Sequence, residues 1–386
     1  MPAQGGGFDA LRDRYAAGAE LPRALAHSPG ASRQWVSDEL TRAAREDTAR
    51  SREAGEAWLR GLWRPTAYAL GGSIAALALG QGLTAIGAGW TAARSAGLVA
   101  AVLLGAVLAG AGWLHRVRGG VLAPLVGADG RLSTSRTVAA AWTLLATYAV
   151  LFLALELGFD AGVRPDFTRA AGLNCVLGLV FGTAVAVRAC AAALRHHRLL
   201  RKVRADRPRP SDLLCDDAGR GSFTDIQYVL TTTAVLVYAG VCLARRPEQL
   251  PELPWGLVGL TAVSAGAYLA GKLSEGGRPV IWSVVRAREA GDLDAPLRTG
   301  DDIEIRGSGF VPPGATTAGQ LARTVVRIGG VHVHVPLVPV TGGFDNPADD
   351  VLIVPVPAEV EPGRVEIRVV TASGAESVPY TVDIVD

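Results

Sequence analysis

AYALGGSIAALALGQGLTAI, residues 67 to 86, runs twenty residues without one formal charge, about what a helix needs to cross the ~30 Å hydrocarbon layer of a bilayer. Lipid offers backbone amides no hydrogen bonds, so such a run must satisfy them internally, and a helix does so within one segment. Further apolar runs follow at Ala96–Leu114, Val138–Leu157, Ala171–Ala192 (with Arg188 in its final turn), Ile226–Leu243 and Leu253–Ala270. The pattern predicts a multi-pass alpha-helical membrane bundle of about six helices across residues 66–273.

Composition agrees. The chain is 49% hydrophobic and 19% charged, with 47 glycines and a mean hydropathy of +0.27, more apolar and richer in glycine than a soluble protein of ordinary usage. From Asp301 onward, 12 acidic residues face 5 arginines, so the net charge of +2 hides an acidic C-terminal region behind a basic membrane part. The first sixty residues hold no uninterrupted apolar core, so no cleavable signal is expected and the first span should act as its own insertion signal. Cys175, Cys190, Cys215 and Cys242 are scattered without CxxC spacing, which fits small buried hydrophobes better than a disulfide framework or metal site.

Residues 1–36, rich in Gly, Pro and Ala, suggest a mobile tail. Residues 37–65 suggest a polar juxtamembrane helix, with opposite charges four apart at Asp38 and Arg42, Glu46 and Arg50, and Glu56 and Arg60. Trp58, Arg60, Trp63 and Arg64 then fit a membrane-interface anchor, indole rings at headgroup level and guanidinium groups reaching phosphate. Beyond the fourth span, Arg195, Arg198, Arg201, Lys202 and Arg204 form a second basic patch, suited to anionic headgroups at about 1 kcal/mol per well-placed cation. No aromatic interleaving or nucleic-acid module accompanies it, so no nucleic-acid partner is expected. The basic connections alternate with less basic ones, which predicts both termini on the cytoplasmic side of the inner membrane.

Small residues repeat every four positions at Gly72, Ala76 and Gly80, at Gly178, Gly182 and Ala186, and at Ala262, Gly266 and Ala270. Such faces let membrane helices approach closely and are expected to pack a compact bundle. A homo-oligomer is a separate expectation for the partners of the chain. A faint internal echo pairs Gly130, Arg131, Ser133 and Thr143 with Gly219, Arg220, Ser222 and Thr232, an offset of 89 (130 to 219). In the second copy Ser222 is placed to cap a helix, with Asp225 at the third position complementing its dipole.

After the last span, residues 274–299 suggest a linker. Valine- and isoleucine-rich runs follow at Ile303–Arg306, Thr324–Ile328, Val331–Val335, Val351–Val356, Arg364–Val370 and Pro379–Ile384, separated by glycine-containing turns. In Val365, Glu366, Ile367, Arg368 and Val369 apolar and charged residues alternate, the period of a half-buried strand. Residues 300–386 are therefore expected to form a beta-sandwich.

GDDIEIRGSGF at Gly300–Phe310, ARTVVRIGG at Ala322–Gly330, IVPVP at Ile353–Pro357 and GRVEIRVVTASGAES at Gly363–Ser377 together resemble an IPT/TIG domain. That resemblance implies an immunoglobulin-like fold, with Gly307, Gly309 and Phe310 at its first turn and Thr371 and Gly374 at a late one. IPT/TIG domains serve roles from protein contact to spacer, so the fold selects no function. In the membrane part, LPELPWGLVGLTAVSAGAYLAGKL at Leu250–Leu273, preceded by DDAGRGSFTDIQYVLTT at Asp216–Thr232, resembles uncharacterised actinobacterial multi-pass proteins. Ala262 stands where those usually carry glycine. Some proteins of this layout are similar to factors that attach contractile, phage-tail-like injection machines to a membrane.

Chemistry is sparse. His332 and His334 fall on one side of a strand and Asp345, Asp349, Asp350 and Glu361 are acidic neighbours in sequence, but no third ligand has convincing spacing, so no metal or cofactor is expected. No nucleophile motif is present, so an enzyme is not expected. Glu156, Asn174, Arg188, Asp225 and Gln227 are too few for a charged transport path. The expected function is an integral membrane anchor or scaffold holding a protein partner or larger assembly. The alternative is a transporter or channel-like protein with an accessory domain.

Overall fold

The computed structural model describes residues 7–16, 29–127, 129–159, 170–197, 205, 207–216, 221–247, 249–274, 277–287, 296–336, 339–340, 343–344 and 346–385. Six long apolar helices form its centre: α3 (Trp63–Ala88), α4 (Ala92–Leu114), α5 (Thr134–Phe159), α6 (Ala171–His196), α7 (Phe223–Arg245) and α8 (Trp255–Ser274). Each is long and apolar enough to cross a membrane. Two helices precede them, α1 (Phe8–Ala16) and α2 (Pro29–Gly61). α2 runs almost unbroken into α3, as one helical stretch from Trp35 to Gly87.

The bundle core is aromatic and β-branched, built from Trp142, Phe152 and Leu153 of α5, Val176 and Val180 of α6, Tyr228 and Val235 of α7, and Tyr268 of α8. α3 packs along α4, and its Leu79, Leu83 and Ile86 are largely exposed. In lipid that exposure is no penalty, because acyl chains are as apolar as leucine. Exposed Trp58 and Trp113 lie toward one end of the bundle, and Trp90, Phe159 and Trp255 at the other, the two-belt pattern of interfacial aromatics.

The small-residue faces that hold the bundle are not those expected. Gly72, Gly80, Gly178, Gly182 and Gly266 have nothing within 4 Å of a modest added side chain. Ala76 and Ala270 are likewise exposed, and Ala262 is half-buried. The five glycines face open space rather than a neighbouring helix. Close approaches fall instead on α4, where Gly97 meets Tyr148 and Phe152, Gly105 meets Ile74 of α3, and Gly112 meets Trp63 and Val121, and at Gly172 of α6, against Leu253, and Gly271 of α8, against Thr224. Spacing shows that a face is narrow; only helix order shows what stands opposite it.

The internal echo has a structural counterpart. A 3₁₀ turn at Gly120–Leu125 leads through an antiparallel bridge, Val126 with Leu132, into α5; a second at Pro210–Leu214 leads through Cys215 with Gly221 into α7. The amide of Ser133 donates to Leu125 at 2.9 Å and that of Ser222 to Leu214 at 3.0 Å. Ser133 contacts Ser135 at 3.4 Å and Ser222 contacts Thr224 at 3.1 Å. Every one of these pairs keeps the same sequence offset, so the turn, bridge and helix form a repeated unit whose two copies enter the membrane from the same side. Gly219 and Arg220 lie outside the described residues.

After α8 come β1 (Val280–Arg286), β2 (Leu297–Arg298), β3 (Asp302–Ser308), α9 (Thr317–Arg323), β4 (Val325–Ile328), β5 (Val331–His334), β6 (Pro339–Val340), β7 (Gly343–Phe344), β8 (Val351–Pro355), β9 (Gly363–Val370) and β10 (Tyr380–Val385). One sheet runs β1-β3-β8 and another β2-β10-β9-β4-β5. They share a core of Ile303, Ile305, Leu352 and Val354 from the first and Val326, Ile328, Ile367, Val369 and Ile384 from the second. β1 falls in the stretch expected to be linker. Its valine, isoleucine and tryptophan pair with β3, so the β region begins well before Gly300.

The N-terminal stretch also departs from expectation. α1 occupies residues read as mobile tail, and α2 starts ahead of Ser37. Phe8 is buried against Leu40 and Ala44 of α2 and Ala318 and Leu321 of α9, with Leu11 and Tyr15 beside them. Phe8, Leu11 and Tyr15 make a helical stripe whose partners lie on α2 and, three hundred residues away, on α9, which local composition does not reveal. On α2 the ion pairs differ from those expected, Arg42 with Glu39, Arg50 with Asp47 at 3.9 Å, and Arg52 with Glu56 at 3.3 Å. Contact between α2 and α9 puts the regions before α3 and after α8 on one side of the bilayer, which six crossings satisfy.

Gly105→Leu should lower stability by about 1–3 kcal/mol, the usual effect of overpacking a tight site. Gly266→Leu and Gly80→Leu should leave it unchanged or slightly higher, since glycine in a helix interior is unfavourable by about 0.5–1 kcal/mol. Thermal unfolding of the three variants in detergent checks both expectations.

Candidate functional site

The densest polar structure lies where α5 and α7 begin. Asp212, in the second 3₁₀ turn, accepts from the amide of Arg209 at 2.8 Å and, across the repeat, from the amide of Leu132 at 3.2 Å. The Thr134 hydroxyl donates to the carbonyl of Leu213 at 3.1 Å, and the amide of Ala205 to Asp129 at 2.8 Å. One carboxylate thus ties the two copies of the repeated unit together. Burial, with Asp212 and Asp216 adding to it, pushes the nearby Cys215 thiol up despite Arg131, so that cysteine stays a neutral thiol.

One step deeper, Ser222 caps α7, accepting from the amide of Asp225 at 3.3 Å while its hydroxyl donates to the Asp225 carboxylate at 2.6 Å. Asp225 is fully buried and pairs with Lys272 of α8 at 3.3 Å. Tyr228 and Tyr268 stack beneath, centroids 4.6 Å apart and planes within 5°, and the Lys272 ammonium lies 5.7 Å from the Tyr268 ring. Gly271 leaves room for Thr224, whose hydroxyl would stand 2.8 Å from an added Cβ. The pair joins the start of α7 to the end of α8 and neutralises both charges.

Depth decides what this arrangement can do. Asp225 lies in the first turn of α7, Lys272 in the last turn of α8 and buried Glu156 in the last turn of α5. Farther in, the hydroxyls of Thr183, Thr232 and Thr261 donate to carbonyls of their own helices at 2.7, 2.5 and 2.8 Å, the back-bonding that hides a hydroxyl within a helix. These three hydroxyls are thereby satisfied within their own helices, whereas Trp142 Nε1, Tyr228 Oη and Ser264 Oγ are buried without a hydrogen-bond partner among the described residues. Arg188 lies two turns before the end of α6 and is exposed.

A second candidate surface joins α2 to the β region. The Arg45 guanidinium lies 2.6 Å from Nε2 of His334 on β5. Arginine can only donate, so that nitrogen must accept and the ring is neutral. Burial first, then the charges of Arg45 and His332, hold His334 below its usual value. Asp349 accepts from the amide of Val311 at 3.1 Å, while Asp345 lies outside the described residues. Among the described residues no group of three His, Cys, Asp or Glu side chains is placed to hold a metal.

The predicted interface residues separate. Trp58, Arg60 and Arg64 are exposed beside the membrane end of α2 and α3. Trp63 is half-buried instead, in a notch made by Gly112 and Gly120. Arg195 closes α6, whereas Arg198, Arg201, Lys202 and Arg204 lie outside the described residues. Arg116, which stacks 4.9 Å from the Trp113 ring, extends the interfacial set. In the β region Gly307 abuts Val280 and Phe310, Phe310 is fully buried, and Gly309 and Gly374 take left-handed φ of 76° and 85°. Sequence reading missed Asp212 and Lys272 as partners, since both act on residues remote in the chain.

No family model matches the chain, and no curated protein matches it. Among solved structures, the crystal structure of a gamma-CGTase from alkalophilic Bacillus clarkii is similar at 20% identity and a TM-score of 0.19, over 28% of this chain and 12% of that one. A likeness this slight bears on neither fold nor activity.

Removing one member of the buried pair, as in Asp225→Ala or Lys272→Met, should lose about 3 kcal/mol, because the other charge is stranded. The double substitution should cost less than the sum, which a thermal double-mutant cycle in detergent measures. For His334, docking of α2 should be fullest above the free-imidazole value of 6.5 and weaken as pH falls below it toward the lowered docked value. Energy transfer between labels on α1 and β9 should report that loss, and His334→Gln should abolish the pH dependence.

Proposed function

We propose that this chain is a non-enzymatic anchor and scaffold of the cytoplasmic membrane, holding a protein partner or assembly through its soluble regions. The observation that carries this reading is the buried contact of Phe8, Leu40 and Ala44 with Ala318 and Leu321. It closes the N-terminal helices and the β region into a single body presented at one end of the bundle. The charge placement supports the same reading, because neutralised pairs and capped ends stabilise a bundle without giving a solute a route.

The β region is read as an immunoglobulin-like sandwich of IPT/TIG type. Its support is the strand order β1-β3-β8 against β2-β10-β9-β4-β5, with β2 running parallel to β10 and the remaining pairs antiparallel. That arrangement matches a two-sheet Greek-key sandwich in which the first strand divides between the sheets. The partner of the soluble body is a protein. Attachment of a contractile injection machine is the most specific form of this role, and its support is the sequence resemblance alone. Cytoplasmic placement of both termini rests on the basic residues at this end of the bundle, including Arg60, Arg64, Arg116, Arg118 and Arg136.

Affinity capture from native membranes, with the whole β region, residues 280–386, present or deleted, tests the role. Loss of stable protein partners on deletion, with membrane insertion retained, is the expected result. Solute flux into liposomes that persists after the deletion would overturn the scaffold in favour of a transporter. Leu321→Asp should reproduce the deletion by opening the soluble body.

A further inference from the structure

α1 sits in a groove that two other helices make between them. α2 and α9 lie against each other, and Leu40 and Ala44 of the one with Ala318 and Leu321 of the other form its floor. Alanine at two of these four positions leaves room for a large apolar side chain from a third helix. Phe8 fills that room and is only 2% exposed. Leu11 and Tyr15 pack beside it, and the Tyr15 ring stands edge-on to Trp35 of α2 with centroids 5.9 Å apart.

The fit of α1 to this groove is incomplete. Arg12 pairs with Asp9 at 3.4 Å and with Asp13 at 3.0 Å, all within α1, so those three charges add nothing to the seat. Its nine residues are too few for a helix that is stable alone, and the entropy lost in ordering them opposes what three apolar side chains gain by burial. At the N-terminal end, Gly7 is the cap, its carbonyl accepting from the amide of Leu11 at 3.1 Å. It has no side chain to satisfy the free amides of the first turn. A Cβ added there would stand 3.2 Å from Nη2 of Arg50 on α2. A guanidinium therefore faces the positive end of the helix dipole, an unfavourable placement. Asp47 approaches that guanidinium only to 3.9 Å.

From this seat we infer that the groove between α2 and α9 is the docking site for an amphipathic helix of a partner protein, which α1 occupies in cis until it is displaced. The incoming helix carries apolar side chains at the spacing of Phe8, Leu11 and Tyr15, the anchor pattern of a helix laid in a groove. At the position of Gly7 it carries an acidic residue, which caps its own first turn and pairs with Arg50. The inference rests on the scaffold reading and gives the partner a shape and a charge.

The test uses the full chain in detergent, labelled on α1 and β9 for energy transfer, with peptides of residues 7–16 added in trans. Tethered α1 competes at a roughly millimolar effective concentration, so the titration runs to several times that. The peptide with Gly7→Asp should displace α1 and lower the transfer at about one third of the concentration needed by the native-sequence peptide, the gain expected of a cap and an exposed ion pair. Arg50→Gln in the chain should shrink that difference, and a peptide with Phe8→Ala and Leu11→Ala should displace nothing. Phe8→Asp in the chain frees the groove and should admit a fluorescent native-sequence peptide at about one tenth of the displacing concentration; deletion of residues 1–16 serves if that variant fails to fold. In the capture from native membranes, Phe8→Asp should raise recovery of the partner and the Gly7→Asp peptide should compete it away. No displacement by any peptide, or displacement that survives loss of Phe8 and Leu11, overturns the site, as does a captured partner that the peptide leaves undiminished, and in each case the scaffold reading stands. Peptide exchange with no captured partner would support the helix-binding groove and overturn the scaffold reading instead.

Discussion

A peptide group in hydrocarbon has no solvent to hydrogen-bond, and most of this structure follows from that one constraint. It forces the six apolar segments into helices and pushes the buried charges described within them toward helix ends. Asp225, Lys272 and Glu156 all lie in terminal turns, while Thr183, Thr232 and Thr261 return their hydroxyls to their own backbones. Packing between helices then depends on shape, since leucine against lipid and leucine against protein are nearly equivalent. That is why glycine on α4 matters and an exposed run of leucines on α3 does not.

The polar end of the bundle is where irregular backbone is permitted, and it is built twice. Each 3₁₀ turn and bridge delivers a serine to the start of a helix, and Asp212 fastens one copy to the other. The two copies then diverge. The second adds Asp225 to pair with Lys272, whereas the first carries Arg136 at the matching position and turns it onto backbone carbonyls.

Outside the membrane, a different balance applies. α2 is too polar to fold on its own burial, and α1 is short; each gains its order from the other and from α9. Their shared core is small, built from Phe8, Leu40, Ala44, Ala318 and Leu321, and the Arg45–His334 contact lies on the same junction of α2 with the β region. The β region has a larger core of its own and supplies the rigid half of that body.

The amino-acid order alone determined the six spans, the strand periodicity after Gly300 and the cap of Ser222, because each depends on residues within one or two turns of one another. Hydrophobic run length and alternation are local quantities, and lipid or a core reads them directly. The tertiary structure decided which glycines touch, that β1 belongs to the sheets, that α1 packs on α9, and that Asp212 and Lys272 have partners across the chain. Those outcomes depend on which surfaces meet, and a small residue, a short apolar stripe or a lone carboxylate has the same local signature whether it faces lipid, water or protein.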